Sequence, residues 1–321
     1  MYIQPQSWLE IIRSEYLRDF ISSGGAAVKF VVPTDEVCRH QVRDSLRNAS
    51  EEGGFSFALV DAVSTKIHMI DKLFHEVARQ VDWDELAYSF VTHVLRENGY
   101  ELPANREEFN LRQIAVLNKR EDKFLRMELR RGLEQKIFHD YEMSQEFRIA
   151  MMRLCMAQLD AGSASPFLSN AIKEWLRGEL RLIGALKEAP IFQKVVRHNA
   201  RHVLFSLAHW LRINGKKGLV LALDISRYAV ATRSKDPDDG FYYSVPATLD
   251  AYEVLRQFID GTDEVESCLI VVIAPREFLT DERRGLKRYS ALKLRILDEV
   301  RDKNRQNPFS SLVQLSLEQQ T

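Results

Sequence analysis

AAVKFVVPTDEVCRHQVRDSL, residues 26–46, is the stretch whose reading decides the fold. Gly24-Gly25 precedes AAVKFVVP (26–33), a short valine-rich apolar run that reads as a buried strand. Residues 36–50 place Val37, Val42 and Leu46 at helical spacing, and Glu51-Glu52-Gly53-Gly54 closes them. Strand, short connection and helix in that order are the setting of a phosphate-binding loop. The connection here is Pro33-Thr34-Asp35-Glu36-Val37-Cys38-Arg39-His40, which carries two acids and no glycine.

A working phosphate loop reads G-x-x-x-x-G-K-[ST]. Its glycines let backbone N–H groups converge on phosphate, its Lys neutralises charge and its hydroxyl holds magnesium. Aligned without gaps on the strand, Pro33 falls at the first Gly, Cys38 at the second, Arg39 at the Lys and His40 at the Ser/Thr. Pro33 removes a donor, and Cys38 resists the positive φ that Gly supplies. Asp35 and Glu36 would repel a triphosphate. Arg39 keeps a cation without the compact reach of Lys. An ordinary strand–helix connection, with Thr34 or Asp35 as N-cap, accounts for the same residues. Local chemistry alone favours that plainer reading.

Upstream, residues 7–22 set Trp8, Ile11, Ile12, Tyr16, Leu17 and Phe20 on one helical stripe, with Ser7 as the expected cap and Gly24-Gly25 as the stop. Downstream, FSFALVDAVS (55–64) reads as a second buried strand. Residues 66–212 then read as helical, broken at Asp82-Trp83-Asp84, Asn98-Gly99, Pro103-Ala104-Asn105 and 162–166. Strands return at 218–226 and 267–275, with a loop at 231–246 and a helix at 247–260 between them. A helix over 287–304 and a fifth short strand over 310–317 complete the pattern. Strands separated by helices predict an α/β fold with a parallel, helix-covered sheet. Residues 1–65 and 213–321 form its expected core, and 66–212 a large helical insertion. Ligands in such sheets sit at the carboxyl ends of the strands, here 33–40, 62–68, 224–228 and 275–295.

The 321 residues are 45% hydrophobic and 28% charged, with a formal net charge of -1, so no global field favours nucleic acid or an anionic membrane. Three widely spaced cysteines, Cys38, Cys155 and Cys268, argue against a disulfide framework or a zinc ribbon and fit a reducing cytoplasm. The opening MYIQPQSWLEIIRSEYL has no basic region followed by an apolar core, and is not read as a signal peptide. No apolar run approaches the ~20 residues of a membrane span.

The 218–226 strand ends in Asp224, as a magnesium-binding Walker B strand does, but Ile225 follows where many helical-lid ATPases carry a water-aligning Glu. The order of features then carries weight. Gly-Gly-strand, a cation at the Lys position, a strand ending in VD, a helical insertion, a strand ending in LD and a strand ending in IAPREF follow one another. The chain resembles the ATP-binding proteins of BREX-type phage-defence systems, a branch of the helical-lid P-loop ATPases. The stretches behind the resemblance are SGGAAVKFVV (23–32), IKEWLRGELR (172–181), HNARHVLFSLAHWLRINGKKGLVLALD (198–224), LDAYEVLRQFID (249–260) and the tail from IAPREFLTDERRGLKRYSALKLRI to NPFSSLVQL (273–315).

The resemblance implies a P-loop NTPase sheet (AAA+/STAND-like) in the order 5-1-4-3-2, a cytoplasmic location and a role beside other defence-system proteins, in a homo- or hetero-oligomer. It places the Walker Lys and Ser/Thr on Arg39 and His40, the Walker B acids on Asp224 and Ile225, the sensor region on Pro275 and Arg276, and a family arginine on Arg295. Asp224 and Arg295 alone keep competent chemistry. The expectation is therefore a non-hydrolysing, ATPase-like structural or regulatory subunit. ATP and magnesium are the candidate ligands, with Asp224 as the magnesium residue. The competing readings are an ATPase with Arg39 on the phosphates and a DNA-binding subunit.

For the DNA reading the expected contacts are Arg283, Arg284, Lys287 and Arg288, in a basic run that continues to Lys293 and Arg295 and is flanked by Asp281, Glu282, Asp298 and Glu299. A solvated helix face explains that run as well, and also the charged stretch 118–136. His198 and His202 have a metal-compatible i, i+4 spacing with no third ligand in view. Tyr242 and Tyr243 are expected in a loop over the sheet edge. Cys38 beside His40 is too short-range to define a nucleophile.

Overall fold

The structure, a computed structural model, describes residues 2–160, 166–297 and 307–318. The expected break at 162–165, the far end of the expected 287–304 helix and the flanking acids Asp298 and Glu299 lie outside those residues. The chain divides into two compact units, Met1–Val77 with Leu211–Thr321, and Ala78–Trp210.

The first unit is built on a parallel sheet. Among the described residues its strands are β1 Ala26–Pro33, β2 Ser56–Asp61, β3 Leu219–Asp224, β4 Cys268–Ile273 and β5 Leu312–Leu315. They lie in the order β2-β3-β4-β1-β5, which is 5-1-4-3-2 read from the opposite edge. The interior strands β3 and β4 are buried along their whole length, as their unbroken apolar runs require. The second strand departs from expectation. It ends at Asp61, and only Ala58 and Val60 are fully buried, because β2 is an edge strand with one neighbour. At the other edge Ile3 pairs with β5, donating to the Gln314 carbonyl at 2.9 Å and accepting from Ser316 N at 3.1 Å, which covers that edge.

Helix α1 starts at Pro5–Ile11 and runs on with π-type bonding through Ile12–Ile21. It begins at Pro5 behind Gln4 rather than at Ser7, because Pro fits the first helical turn, where its missing N–H has no partner to lose. The buried stripe is Trp8, Ile12, Leu17 and Ile21, in steps of four, five and four residues. The wider π turn shifts the face by one residue, so Phe20 is half exposed and Ile21 takes the place expected for it. Phe20 instead lies over Gly25, where a Cβ would come within 2.7 Å of its ring.

Helix α2, Glu36–Glu52, turns Cys38, Val42, Leu46 and Ala49 into the sheet, and Val37 points to solvent. With Trp8, Ile12 and Leu17 they cover one sheet face made by Val31, Val220, Ala222, Leu269 and Val271. The opposite face receives α10, Val245–Asp260, and the short α11, Glu277–Thr280. Phe278 stacks on Phe30 of β1 at 6.0 Å, and Tyr252 meets Phe278 edge-on. Helix α12 is Ser290–Ile296.

The second unit is helical. Its elements are the last residues of α3 (Ile70–Arg79), then α4 Trp83–Glu97, α5 Leu111–Leu117, α6 Asp122–Leu133, α7 Gln145–Ala157, α8 Pro166–Arg177 and most of α9 (Ala200–Ile213). Helix α4 is central and packs against both α6 and α7. Trp83 meets Phe147 at 6.2 Å and Phe90 meets Trp210 at 4.7 Å in its core. No helix of the described residues is long and apolar enough to cross a membrane.

Gly218, which leads into β3, sits at φ +142, and a Cβ there would be 2.0 Å from the Ser267 carbonyl oxygen. Gly218→Ala is expected to lower the unfolding free energy in urea by about 2–4 kcal/mol. Gly215→Ala, at φ +81 with open space around it, is expected to cost only about 1 kcal/mol.

Candidate functional site at the carboxyl ends of β1, β2 and β3

Three features of the sequence converge where β1 enters α2. Pro33 closes β1, buried, and offers no N–H. Asp35 is extended (φ -152, ψ 176) and caps α2, its Oδ1 accepting from Cys38 N at 2.8 Å. Thr34 Oγ1 donates to Asp35 Oδ2 at 2.9 Å. These bonds, led by the Cys38 amide, hold the Asp35 carboxyl below the usual carboxylate range. The helix N-terminus therefore already holds an anion supplied by its own chain. Burial pushes the Cys38 thiol up, and its Sγ is directed at the Leu315 carbonyl, so it behaves as core.

The second feature is a pair of acids in register. Asp61 ends β2, Asp224 ends β3, and the two are direct neighbours in the sheet. Each points Oδ1 at a backbone amide two residues on: Val63 N at 2.8 Å and Ser226 N at 2.9 Å. Each gives Oδ2 to the same guanidinium nitrogen, Arg43 Nη2, at 2.5 Å. Asp224 is wholly buried and the Arg43 side chain is 15% exposed. Burial on its own would lower the Arg43 pKa, but the Asp224 and Asp61 carboxylates outweigh it and raise it. Two neighbouring carboxylates at the end of a parallel sheet demand a cation, and here an arginine one helical turn below Arg39 provides it. Arg39 stands on the same helix face, pairs with Glu36 and reaches Asp224 with Nε at 3.7 Å. The Nε atoms of Arg39 and Arg43 are both buried without a hydrogen-bond acceptor.

This arrangement does not fit magnesium, which needs open carboxylate oxygens and room for its waters. The Asp224 oxygens face an amide and two guanidinium groups. No group of three or more His, Cys, Asp and Glu among the described residues could hold a metal ion. The phosphate-loop alignment stops at residue 40 and does not reach Arg43, and Asp61 enters the sequence reading only as the end of the strand closing in VD. The available signals were the i, i+4 spacing of Arg39 and Arg43 on α2 and an acid closing each of two strands.

Beside this cluster an aromatic layer closes over the strand ends. Tyr228 and Tyr243 stack at 4.0 Å, and His68 Nδ1 lies 2.9 Å from Tyr228 Oη. Tyr243 Oη donates to the Ala62 carbonyl at 2.6 Å, and desolvation raises both phenol pKa values. The expected loop over the sheet edge is thus anchored through a buried Tyr243, while Tyr242 remains 39% exposed.

Of the basic run, Arg284 is only 7% exposed. Its Nη1 donates to the Tyr243 carbonyl at 2.8 Å and to the Tyr228 carbonyl at 3.2 Å, so it fastens the aromatic layer from within. Arg283, Lys287 and Arg288 face solvent, as do His40 and Arg276. Arg295 forks onto Asp260 of α10 through Nε at 2.5 Å and Nη2 at 3.0 Å, away from the strand ends. His198 lies in a turn before α9, and both it and His202 are exposed.

Two outcomes are expected. Arg43→Ala leaves the buried Asp224 with the Arg39 Nε at 3.7 Å as its remaining cation, and should lower unfolding free energy by about 3 kcal/mol in urea titration. Arg43→Met/Asp224→Asn should recover much of that loss. The second concerns the α10–α12 tie. The Arg256 guanidinium, with Tyr289 and Gln257, holds Glu253 down at about 2 from an ordinary 4.5. A depressed carboxyl stabilises the fold fully above its unfolded value, and that stability is lost as pH falls from 4.5 through about 2. Glu253→Gln should remove ~1–2 kcal/mol of this acid-sensitive stability, after discounting for exposure.

Neither a curated protein nor a solved structure matches the chain. The family described as BREX system ATP-binding protein BrxC/D matches residues 109–320. The matched span takes in α5 to α12, β3, β4 and β5. It includes Asp224 and excludes the β1–α2 connection (33–40), Arg43 and Asp61. It covers well over half of the sequence, and the chain belongs to the BREX system ATP-binding protein family.

Proposed function

We propose that this chain is a catalytically degenerate P-loop ATPase-like subunit of a BREX anti-phage defence system, acting as a structural or regulatory scaffold for other proteins of that system. The observation that carries the reading is the Arg43 guanidinium held between Asp61 and Asp224 at 2.5 Å. A P-loop NTPase uses this place, at the end of the third strand, for magnesium. The carboxylate of Asp35 on the α2 amides supports the same reading from the phosphate side, since a γ-phosphate would have to displace an anion fixed in the chain. The sheet order supports descent from that fold class. Hydrolysis also needs a residue to orient water, and Ile225 offers no polar atom for it.

Calorimetric titration of the purified chain with ATP and magnesium is the test. The expected result is no saturable heat in the micromolar range and no phosphate release that Asp224→Ala abolishes. Micromolar binding with Asp224-dependent turnover would overturn the reading in favour of an ATPase that uses Arg39 on the phosphates. In that case Arg39→Ala would abolish binding.

A further inference from the structure

The segment that leaves β4, residues 276–297, holds cations without counter-ions. Arg276, Arg283, Lys287, Arg288 and Lys293 are all exposed, and none of these side chains has an ion pair or hydrogen bond among the described residues. The cations of α6 behave differently. Arg126 pairs with Asp160, Arg130 with Glu134, and Lys136, in the turn beyond α6, with Glu97. Such pairs neutralise an ordinary solvated helix. In 276–297 the exposed acids are Glu277 and Glu282, which leaves the cations in excess.

The other carboxylates around the segment are engaged within its own frame. Asp281 Oδ1 accepts from the Arg283 and Arg284 amides, both at 2.7 Å, and these bonds hold its carboxyl below the usual carboxylate range. On α10, which packs against α12, Asp260 accepts from Arg256 and Arg295. Glu253 accepts from Arg256, Gln257 and Tyr289.

An open aromatic ring stands beside this segment. The buried Arg284 donates Nη2 to Tyr242 Oη at 3.1 Å, and its guanidinium carbon lies 5.6 Å from the Tyr242 ring centre. Its Nη1 is fixed on the Tyr228 and Tyr243 carbonyls, so the ring is held next to the residue that follows Arg283. Tyr242 nevertheless stays 39% exposed. Free cations and a fixed open ring are the two parts of a surface for single-stranded nucleic acid. The cations meet phosphates, and the ring stacks on a base of any identity. A duplex keeps its bases stacked on one another, and an acidic peptide has no base to offer the ring.

We propose that the 276–293 segment and Tyr242 form a binding surface for single-stranded nucleic acid. Arg276, Arg283, Lys287, Arg288 and Lys293 take its phosphates, and a base stacks on the Tyr242 ring. Arg284 takes no phosphate and positions the ring. The whole chain has a formal net charge of -1, so the attraction comes from this local surplus and not from a global field. The proposal adds a ligand to the scaffold reading and does not rest on it. Its test contains no nucleoside triphosphate, so the two stand or fall separately.

The probes are labelled oligothymidylate and oligouridylate of about 20 residues and a duplex of the same length, titrated with the full chain by fluorescence anisotropy across a salt series. Micromolar binding of one or both single strands is expected, with log K falling against log salt at a slope of about -3.5 for five phosphate contacts. Arg283→Gln/Lys287→Gln/Arg288→Gln should weaken binding at least about tenfold and bring the slope to about -1.4, with an unchanged melting temperature. Tyr242→Ala should weaken binding about tenfold with the slope unchanged, and Tyr242→Trp should retain it. Lys119→Gln/Lys123→Gln, exposed cations of the helical unit, should leave binding as it is. No binding of either single strand overturns the proposal, as does an equal loss from the Lys119/Lys123 variant. Tighter binding of the duplex that Tyr242→Ala leaves unchanged overturns it too. So does binding of poly-glutamate in place of the oligonucleotides, because the surface would then serve an acidic protein.

Discussion

The geometry of the strand ends follows from one constraint: two carboxylates, Asp61 and Asp224, stand side by side in a parallel sheet, and one of them is fully buried. Unscreened like charges at neighbouring strand ends are costly, and a buried carboxylate without a partner is costlier still. The backbone amides of Val63 and Ser226 satisfy one oxygen of each acid but bring no full charge. Arg43 brings it. That requirement fixes the rotation of α2 about its axis, and with it the rest of the connection. With Arg43 toward the strand ends, Cys38, Val42 and Leu46 face the sheet and Val37 faces water.

The same rotation assigns the role of Asp35. A helix whose first turn abuts a strand end leaves amides that need acceptors. A bound anion satisfies them in a phosphate loop, and here the side chain of the preceding residue does so. Cation and anion are both internal, so the connection closes without an outside ligand. Because α2 and β3 carry opposite charges that meet, the electrostatics of the site tie the helix to the sheet and leave Asp224 little freedom to serve another cation.

The legibility of the sequence differed by element for physical reasons. Interior strands were readable because burial on both faces leaves an unbroken apolar run, as in LVLALD and CLIVVI. The end of β2 is hard to place from sequence because apolar residues, Ala62 and Val63, continue past Asp61 into a turn. The stripe of α1 was misplaced by one residue at Phe20, since spacing rules assume 3.6 residues per turn and the π segment exceeds that. At the site, Pro33 at the end of β1 and the Asp35 cap of α2 are legible because each acts within its own local segment. Arg43 is not, since its role exists only when strands far apart in sequence become neighbours. Arg284 is opaque in the sequence for the same reason, since nothing local separates a guanidinium that faces solvent from one folded inward onto the Tyr228 and Tyr243 carbonyls.

The family match bears on how the chemistry is distributed along the chain. The matched residues include Asp224, Tyr228 and Tyr243, but not Arg43, which pairs with Asp224. An acid at the end of β3 is compatible with either kind of counter-cation, a bound metal ion or a side chain. The choice between them rests with the first 61 residues, where Arg43 and Asp61 lie. Here Arg43 meets both carboxylates with one guanidinium nitrogen, at 2.5 Å from each. A single helix position, four residues beyond Arg39, thus supplies the side-chain cation that the acid at the end of β3 faces in this structure.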